Sequence, residues 1–256
     1  MSRIFITGST DGLGLAAART LITEGHEVVL HARSTTRAAA AFAELSPGSG
    51  GVVIGDLSSL TETRAVASQV NKLGRMDAII HNAGIYLGPS RGATPEGHAK
   101  TLAINTLAPY LLTGLIERPD RLVYLSSGMH HGGSSSLRDP DWVERSWDPS
   151  AAYSESKLYL TALAFAVARH WPGVVSNAVD PGWVPTKMGG PGAPDDLTMG
   201  HLTQTWLAVS DGAAAKTTGG YWHHRQRQKP APEVADPDFQ DRLTTKLAEL
   251  TGFALF

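Results

Sequence analysis

The chain has 256 residues, a formal net charge of −2 and no cysteine. The absence of cysteine excludes disulfides, thiolate metal sites and a cysteine nucleophile, and the near balance of 22 basic and 24 acidic residues gives no electrostatic reason to expect nucleic acid as a partner. No apolar run approaches the ~20 residues of a membrane span, and the first residues show no signal-peptide pattern, so we expect a soluble cytoplasmic protein.

Short apolar or β-branched runs alternate with amphipathic stretches along most of the chain. The predicted strands are Arg3–Ile6, Glu27–Leu30, Val52–Ile54, Ala78–Ile80, Leu122–Leu125 and Val174–Val179. The predicted helices are Leu13–Gly25, Thr35–Leu45, Ser58–Leu73, His98–Glu117 and Ser154–Trp171. This alternation predicts an α/β fold with a doubly wound parallel sheet and right-handed crossovers. Because the chain shows neither an internal repeat nor a linker, we expect one domain over residues 1–256.

Three segments do not fit the alternation and are rich in Gly, Pro, Trp and His. They are His130–Ser150, Pro185–Gly200 and Gly219–Pro237. Ligands of open α/β sheets bind beyond the carboxyl ends of the strands. We therefore expect substrate loops around residues 130–150 and 185–202, followed by a C-terminal extension over 219–256.

A glycine-rich turn follows the first predicted strand and opens the first predicted helix. It reads Thr7-Gly8-Ser9-Thr10-Asp11-Gly12-Leu13-Gly14. Glycines allow a tight turn and let backbone N–H groups approach a phosphate at a helix N-terminus, where the helix dipole favours an anion. The predicted contacts to a dinucleotide phosphate are Gly8, Ser9, Thr10, Gly12, Leu13 and Gly14. The alternative is a plain tight turn between a strand and a helix.

The end of the second strand indicates which dinucleotide is bound. An NAD site usually has a carboxylate about 20 residues beyond the glycines for the ribose 2′-hydroxyl, whereas a 2′-phosphate pairs with a cation. Here Ala32 is followed by Arg33 and Ser34; an arginine fork can pair with phosphate and a serine hydroxyl can add a hydrogen bond. The pattern favours NADP(H), held by Arg33 and Ser34. The alternative is a solvated arginine at a strand end.

Polar residues also follow the third and fourth strands, where the adenine and ribose would cross the sheet. Asp56-Leu57 follows the third strand and Asn82-Ala83-Gly84 the fourth. Asp56 is explained equally well as the N-terminal cap of the next helix, a position that Asp favours. Asn82, beside two small residues, fits a side chain that braces the backbone under a ligand.

Four polar side chains are candidates for catalysis. Tyr153 and Lys157 are spaced i, i+4 on a predicted helix, so they share a face, and the ammonium can lower the pKa of the phenol toward neutrality. A tyrosine tuned in this way is a competent general acid–base. Ser127 follows the fifth strand, and Asn105 interrupts an apolar helical run. Each also has a structural explanation: a Tyr/Lys pair on a solvated helix face, a serine that caps a turn and a locally bonded asparagine.

These motifs follow the order found in the short-chain dehydrogenase/reductase family, which the chain resembles from Arg3 to about Thr186. In order, they are Thr7–Gly14, Asp56-Leu57, Asn82-Ala83-Gly84, Asn105, Ser127, the Tyr153/Lys157 pair and Pro181-Gly182-Trp183-Val184-Pro185-Thr186. The resemblance implies a Rossmann fold in which Tyr153 transfers the substrate proton and Ser127 orients the substrate oxygen. It further implies that Lys157 binds the nicotinamide ribose and lowers the tyrosine pKa, and that Asn105 holds a relay water. Pro181, Gly182, Val184 and Thr186 would seat the nicotinamide carboxamide.

The chain departs from the family pattern in two places. The gap from Ser127 to Tyr153 is 26 residues, which is longer than in many members and resembles the branch that contains retinol dehydrogenases and WW-domain-containing oxidoreductases. His81 stands where a second asparagine is frequent. Neither departure touches a catalytic role, but the longer gap affects the substrate side of the site.

The histidine pairs do not predict a metal site. No carboxylate or third histidine stands at a ligand spacing from His130-His131, and whether these two contact the substrate stays open. The stretch from His223 to Lys229 is interpreted as a solvated surface strand or loop.

The sequence therefore predicts an NADP(H)-dependent oxidoreductase that moves hydride between nicotinamide and a small-molecule carbonyl or secondary alcohol. One alternative is a non-catalytic NADP(H)-binding sensor or interaction protein, for which a complete set of Asn105, Ser127, Tyr153 and Lys157 is unexpected. Another is a nucleotide-sugar epimerase or dehydratase, but such enzymes resemble longer chains. Homo-oligomerisation and the identity of the substrate stay open.

The glycines and prolines of Lys187–His201 predict a flexible lid over the reacting centre. Its apolar residues are Met188, Leu197 and Met199, with Trp183 just before it and Trp142 and Trp147 on the other long loop. We expect a hydrophobic substrate, larger than a short aldehyde, held against these side chains. The alternative is a surface loop whose apolar residues pack on the domain.

Overall fold

Eight strands form one sheet through the centre of the molecule. The computed structural model describes residues 1–45, 49–86 and 88–256. The strands are β1 (Arg3–Ile6), β2 (Glu27–Ala32), β3 (Ser49–Ile54), β4 (Ala78–His81), β5 (Arg121–Leu125), β6 (Val175–Asp180), β7 (Gly220–His223) and β8 (Gln226–Gln228). Their order is β3-β2-β1-β4-β5-β6-β7-β8. All neighbours are parallel except β7 and β8, which confirms the predicted doubly wound α/β fold.

Helices cover both faces of the sheet because alternate strand residues are buried on opposite sides. The helices are α1 (Gly12–Thr23), α2 (Thr35–Leu45), α3 (Leu60–Lys72), α4 (Lys100–Leu102), α5 (Ala108–Leu115), α6 (Pro149–His170), α7 (Leu197–Val209) and α8 (Pro237–Thr251). In β1, Phe5 packs into a core shared with α3, α5, α6 and α8. Ile4 and Ile6 pack into the second core, beside α1 and α7.

The predicted helix His98–Glu117 is interrupted by a π-helical turn. The turn spans Ala103–Leu107, between α4 and α5. A π turn widens the helix and changes the directions of its side chains, and such turns are frequent at functional sites. Asn105 lies within this turn.

Helix α6 begins earlier than the sequence pattern indicated. Pro149 occupies the first turn and the Asp148 carboxylate accepts hydrogen bonds from the backbone of Ser150 and Ala151, an arrangement that favours a helix start. The helix is buried on nearly every side, since it lies between the sheet and α8. Tyr153 and Lys157 therefore lie inside the molecule rather than on a solvated face.

One expectation for the second half of the chain was wrong. Residues 197–201 of the expected lid form the start of α7, where the Asp196 carboxylate caps the helix by accepting from Thr198 and Met199. Residues 219–256, expected as a C-terminal extension of the single domain, contribute β7, β8 and α8. Among the helices of the described residues, none is long and apolar enough to cross a membrane.

Candidate active site

A cavity of about 980 Å³ opens at the carboxyl ends of the parallel strands. It passes the point where the strand order reverses between β1 and β4, the usual ligand position in such sheets. One end is lined by the glycine-rich turn and Arg33, and the other by Ser127, Tyr153 and Lys157. The two groups of residues that the sequence singled out therefore face one continuous space.

The glycine-rich turn is held in a conformation that favours glycine. Gly8 and Gly12 have φ values of +64° and +52°, in the left-handed region that other residues rarely adopt. A Cβ on Gly14 would lie 2.4 Å from the Gly8 carbonyl oxygen. Asn82 Nδ2 donates to the carbonyl oxygens of Thr7 and Gly8, at 2.9 and 3.3 Å, so Asn82 braces the turn from beneath.

His31 is a second brace of this turn, and the sequence analysis did not single it out. Its Nδ1 accepts from the Gly8 backbone N–H at 2.9 Å, and its Nε2 donates to the Gly55 carbonyl at 2.9 Å. Burial lowers the pKa of His31 to about 4, so the ring is neutral and fits this pattern of one acceptor and one donor. A histidine inside an apolar strand pattern gave no signal of this contact.

Two arginines line the cavity together with the glycine-rich turn. Arg33 and Arg37 both line it, together with Asp56 and Leu57, and Arg37 was not among the predicted contacts. Asp56 does not cap α3, because the N-cap is Ser59. Asp56 instead accepts from the Ser58 backbone at 2.9 Å.

Four predicted site residues do not line the cavity in the described structure. They are Ser9, Gly14, Ser34 and Asn105. Ser9 is buried, where its hydroxyl accepts from the His31 backbone at 2.9 Å. The Ser34 hydroxyl accepts from the Arg37 backbone at 3.4 Å, in the first turn of α2.

Tyr153 lies at the catalytic end with its ring almost wholly buried. It makes an edge contact with Tyr86, at 5.0 Å between ring centroids. Burial raises the pKa of Tyr153 to about 12, and a hydrogen bond with the Ser127 side chain opposes this rise. The expectation that Lys157 brings this pKa toward neutrality is wrong for this structure, because desolvation outweighs the neighbouring groups. The side chain is held as a phenol.

Lys157 is buried without an adjacent carboxylate. Its ammonium donates to the Leu125 carbonyl at 2.7 Å and lies 5.6 Å from the centroid of the Tyr153 ring. Burial lowers the pKa of Lys157 to about 8, while the negative charge of Asp180 opposes this change. The amine therefore stays protonated at neutral pH but by a narrow margin.

Ser126 and Ser127 leave β5 toward different surroundings. The Ser126 hydroxyl is bonded to Thr161 Oγ1 at 2.6 Å, inside the protein. The Ser127 hydroxyl accepts from the Met129 backbone at 3.2 Å and lies beside Tyr153. Ser127 therefore places its hydroxyl at the cavity wall, next to the tyrosine.

Asn105 does not line the cavity but binds Ile85, which does. Its Oδ1 accepts from the Ile85 backbone at 2.8 Å, and its Nδ2 donates to the Ile85 carbonyl and to the Ser156 hydroxyl, both at 3.0 Å. These bonds link the π turn to the segment after β4 and to α6.

The segment after β6 forms the remaining wall. Pro181, Gly182, Val184 and Thr186 line the cavity, as does Lys187, which forms an ion pair with Asp11 of the glycine-rich turn. This pair ties the two sides of the cavity mouth together.

Exposed apolar side chains surround the catalytic end. Tyr86, Met129, Trp183 and Met188 line the cavity and are each more than a third exposed. Leu197 and Met199 are exposed but do not line it.

The two tryptophans of the 130–150 loop do not line this cavity. The Trp142 indole is buried and donates to Glu155 at 3.1 Å, and that of Trp147 donates to the Gly88 carbonyl at 3.1 Å.

The histidine pair also has a structural role. His130 is buried; its Nδ1 donates to the Ser127 carbonyl at 2.8 Å and its Nε2 accepts from the Ala231 backbone at 3.0 Å. No group of three or more potential metal ligands occurs within residues 1–45, 49–86 and 88–256.

Comparison with known proteins gives matches along the whole chain. The short chain dehydrogenase family matches residues 2–119. Over 258 residues the chain is 40% identical to the short-chain dehydrogenase chyC of Penicillium rubens, covering 100% of this chain and 99% of that protein. It is 27% identical over 280 residues to retinol dehydrogenase 13 of Homo sapiens, covering 97% and 84%. A crystal structure of an uncharacterised protein from Mycobacterium paratuberculosis superimposes with a TM-score of 0.87 at 25% identity, covering 100% and 95%.

Proposed function

The chain belongs to the short-chain dehydrogenase/reductase family, near its retinol dehydrogenase branch, and we propose that it is an NADP(H)-dependent reductase of a hydrophobic carbonyl compound. The observation that carries this proposal is the single cavity that joins the glycine-rich turn and two arginines to Ser127, Tyr153 and Lys157. A non-catalytic NADP(H) sensor would need only the first part of this cavity.

The residues of the cavity fit a dinucleotide. The turn brings the N-terminus of α1 to the cavity with no side chain at Gly8 or Gly12, so an anionic diphosphate can approach the backbone. Arg33 and Arg37 supply cations where a 2′-phosphate would lie, and Ala32 brings no carboxylate to repel it. Pro181, Gly182, Val184 and Thr186 would hold the nicotinamide end.

Ser127 and Tyr153 both donate to the substrate oxygen, but in different ways. The Ser127 hydroxyl donates a hydrogen bond that orients the carbonyl, and the Tyr153 phenol donates the proton that the oxygen needs as negative charge develops on it. The Lys157 ammonium stabilises the phenolate left behind. When bound, the nicotinamide supplies the hydride for reduction or accepts it for oxidation.

The protonation state of Tyr153 suits carbonyl reduction. With a pKa near 12, the side chain is a phenol at neutral pH, which is the form that a proton donor must have. Oxidation of an alcohol needs the phenolate and should become faster as the pH rises.

The apolar rim indicates the substrate class. Tyr86, Met129, Trp183 and Met188 surround the catalytic end, and exposed apolar surface of this kind marks ligand-binding clefts. We expect ketones or aldehydes with a bulky apolar body to be reduced better than short aldehydes.

A carbonyl panel followed at the NADPH absorbance band tests the activity. Tyr153→Phe should bind NADPH with unchanged affinity and lose about 10²-fold or more in turnover, the usual scale for a general acid. Unchanged turnover in this variant would remove Tyr153 from the mechanism, and a parent protein inactive on every carbonyl and alcohol would contradict the proposal.

Cofactor choice is tested with Arg33→Ala. A charge-assisted hydrogen bond contributes roughly 1.5–3 kcal/mol, so NADPH should bind about 10–150-fold more weakly while NADH affinity stays the same. Arg19→Ala, on the outer face of α1, is the matched control for loss of a surface arginine. Equal or tighter binding of NADH by the parent protein would overturn the NADP(H) assignment.

A further inference from the structure

Asp180 is a carboxylate in the wall of the catalytic cavity that the sequence analysis did not single out. It is the last residue of β6, directly before the Pro181-Gly182 turn, and it lines the cavity together with Tyr153 and Lys157. Its Oδ2 lies 3.1 Å from the position that a Cβ on Gly128 would occupy, so it reaches across to the segment after β5. The side chain is only partly exposed.

Two neutral donors hold this carboxylate. Oδ1 accepts from the Gly182 backbone N–H at 3.0 Å, and Oδ2 accepts from the Tyr221 hydroxyl at 3.0 Å. Within the residues that the structure describes, no Lys, Arg or His nitrogen lies within 4.0 Å of it. The charge is therefore fixed in place by hydrogen bonds and is not neutralised by an adjacent cation.

Lys157 carries the opposite charge and is buried beside neutral groups. Its ammonium is buried, and its hydrogen-bond partner in the described part of the chain is the neutral Leu125 carbonyl. A buried cation without a counter-charge is costly. Leu125, whose carbonyl binds the ammonium, pairs with Val179 in the sheet, so Asp180 is the next residue along the neighbouring strand and faces the same cavity. Its negative charge raises the pKa of Lys157 against the effect of burial.

Several other charged and titratable groups surround the pair. They are Glu155, bound to Arg145; Lys187, paired with Asp11; Asp195, bound to the Trp183 backbone; the buried His130; the tyrosines Tyr86 and Tyr221; and His131 and His223. None of these brings a free carboxylate toward Lys157.

We propose that Asp180 is a positioning residue of the reaction: its fixed carboxylate is the counter-charge that keeps Lys157 cationic and Tyr153 in its phenol form. This inference rests on the proposed function for its consequence in turnover. A negative charge stabilises an ammonium and destabilises a phenolate nearby, so both effects of Asp180 hold protons in the site. Asp180 thereby sets the upper pH limit of carbonyl reduction.

The test compares the pH profiles of the parent and Asp180→Asn. An amide has nearly the shape of the carboxylate and can still accept a hydrogen bond, but it carries no charge. Without the charge, Lys157 and Tyr153 should both lose their protons at lower pH, so the alkaline limb of kcat/KM for reduction should move to lower pH. The expected change in the ionisation constant is roughly threefold or more.

Two further variants separate charge from structure. Asp180→Glu keeps the charge and should restore the position of the alkaline limb, even where its rate is lower. Tyr221→Phe removes the donor to Oδ2 but keeps the charge, so its limb should stay close to that of the parent. If Asp180→Asn lowers the rate equally at every pH, Asp180 braces the Gly182 turn only, and the proposal is wrong.

A titration that needs no substrate distinguishes failure of the role proposed for Asp180 from failure of the proposed function. The ionisation of Lys157 can be followed by NMR of ¹³C-labelled lysine, with the resonance assigned from Lys157→Met. It should fall near pH 8 in the parent and at lower pH in Asp180→Asn. An unchanged titration would overturn the role of Asp180 whatever the activity, whereas a shifted titration in a protein that turns over no carbonyl would contradict the proposed function alone.

Discussion

Adjacent serines at the end of β5 have different expected roles. Both residues line the cavity, but the Ser127 hydroxyl lies beside Tyr153, whereas the Ser126 hydroxyl is bonded to Thr161. Ser127→Ala should lower kcat/KM by about 10²-fold, as expected when a donor to a developing oxyanion is removed. Ser126→Ala should keep most of the activity and lower the free energy of unfolding by ~1 kcal/mol.

Steady-state kinetics and urea unfolding of both variants check this assignment. Ser126→Ala serves as the control for loss of a hydroxyl at the same strand end. A larger loss of activity from Ser126→Ala would mean that the strand presents the opposite residue to the substrate.

At the residue level, the sequence identifies side chains whose type and spacing form a motif. Tyr153, Lys157 and the glycine-rich turn belong to this class, and they line one cavity. His31, Arg37 and Asp180 carry no such signal, because their contacts come from the register of neighbouring strands and from the direction of α2. The pKa of Tyr153 could not be predicted from the sequence either, because the spacing of residues along a helix does not report how far a side chain is desolvated.

At the level of elements, we expect the segment between β6 and α7 to move when ligands bind. Residues 187–196 contain Lys187, whose ion pair with Asp11 links the segment to the glycine-rich turn. Trp183 Nε1 donates to the Gly189 carbonyl at 2.8 Å. The segment is anchored at both ends and exposed between them, a combination that suits a lid over a reacting centre.

Limited trypsin cleavage after Lys187 tests this lid. Cleavage should become at least about threefold slower when NADPH and a substrate analogue are both present, because a closed segment opens less often. Lys216 is exposed and outside the cavity, so cleavage after it is the internal control. Equal slowing at both sites would indicate general stabilisation, and no slowing at Lys187 would contradict the lid.

Helices α1 to α6 and strands β1 to β6 could be predicted because their apolar residues follow the helix and strand periods, with α4 and α5 predicted as one helix. Helix α7 could not, since its buried positions include His201, Thr203, Gln204 and Thr205, which interrupt an apolar pattern. Strand β7 begins with a glycine and ends with a histidine, and the three residues of β8 are all polar and exposed, so neither strand shows an apolar run. Their place at the edge of the sheet comes from pairing with β6 and with each other.

At the scale of the whole molecule, the C-terminal helix connects the catalytic helix to the rest of the core. Helix α8 packs on α6, with Phe239 and Tyr159 in contact at 6.4 Å between ring centroids. Phe239, Leu243 and Leu247 of α8 belong to the same core cluster as Leu158 and Leu163 of α6. The two ends of the fold therefore share one hydrophobic core, and we propose that residues 1–256 unfold as one domain.

Leu243→Ala tests this proposal. Truncation of a fully buried leucine should lower the free energy of unfolding by ~2–5 kcal/mol, although Leu243 is far along the chain from Tyr153. Thr245→Ala, at an exposed position of the same helix, should change it by less than ~0.5 kcal/mol. If the chain is one cooperative unit, circular dichroism and NADPH binding should be lost together during urea unfolding, and both midpoints should move by the same amount in Leu243→Ala. Loss of part of the circular dichroism signal at a lower urea concentration, with NADPH binding retained, would instead mean that β7, β8 and α8 form a separate unit. Residues 1–256 would then not be a single domain.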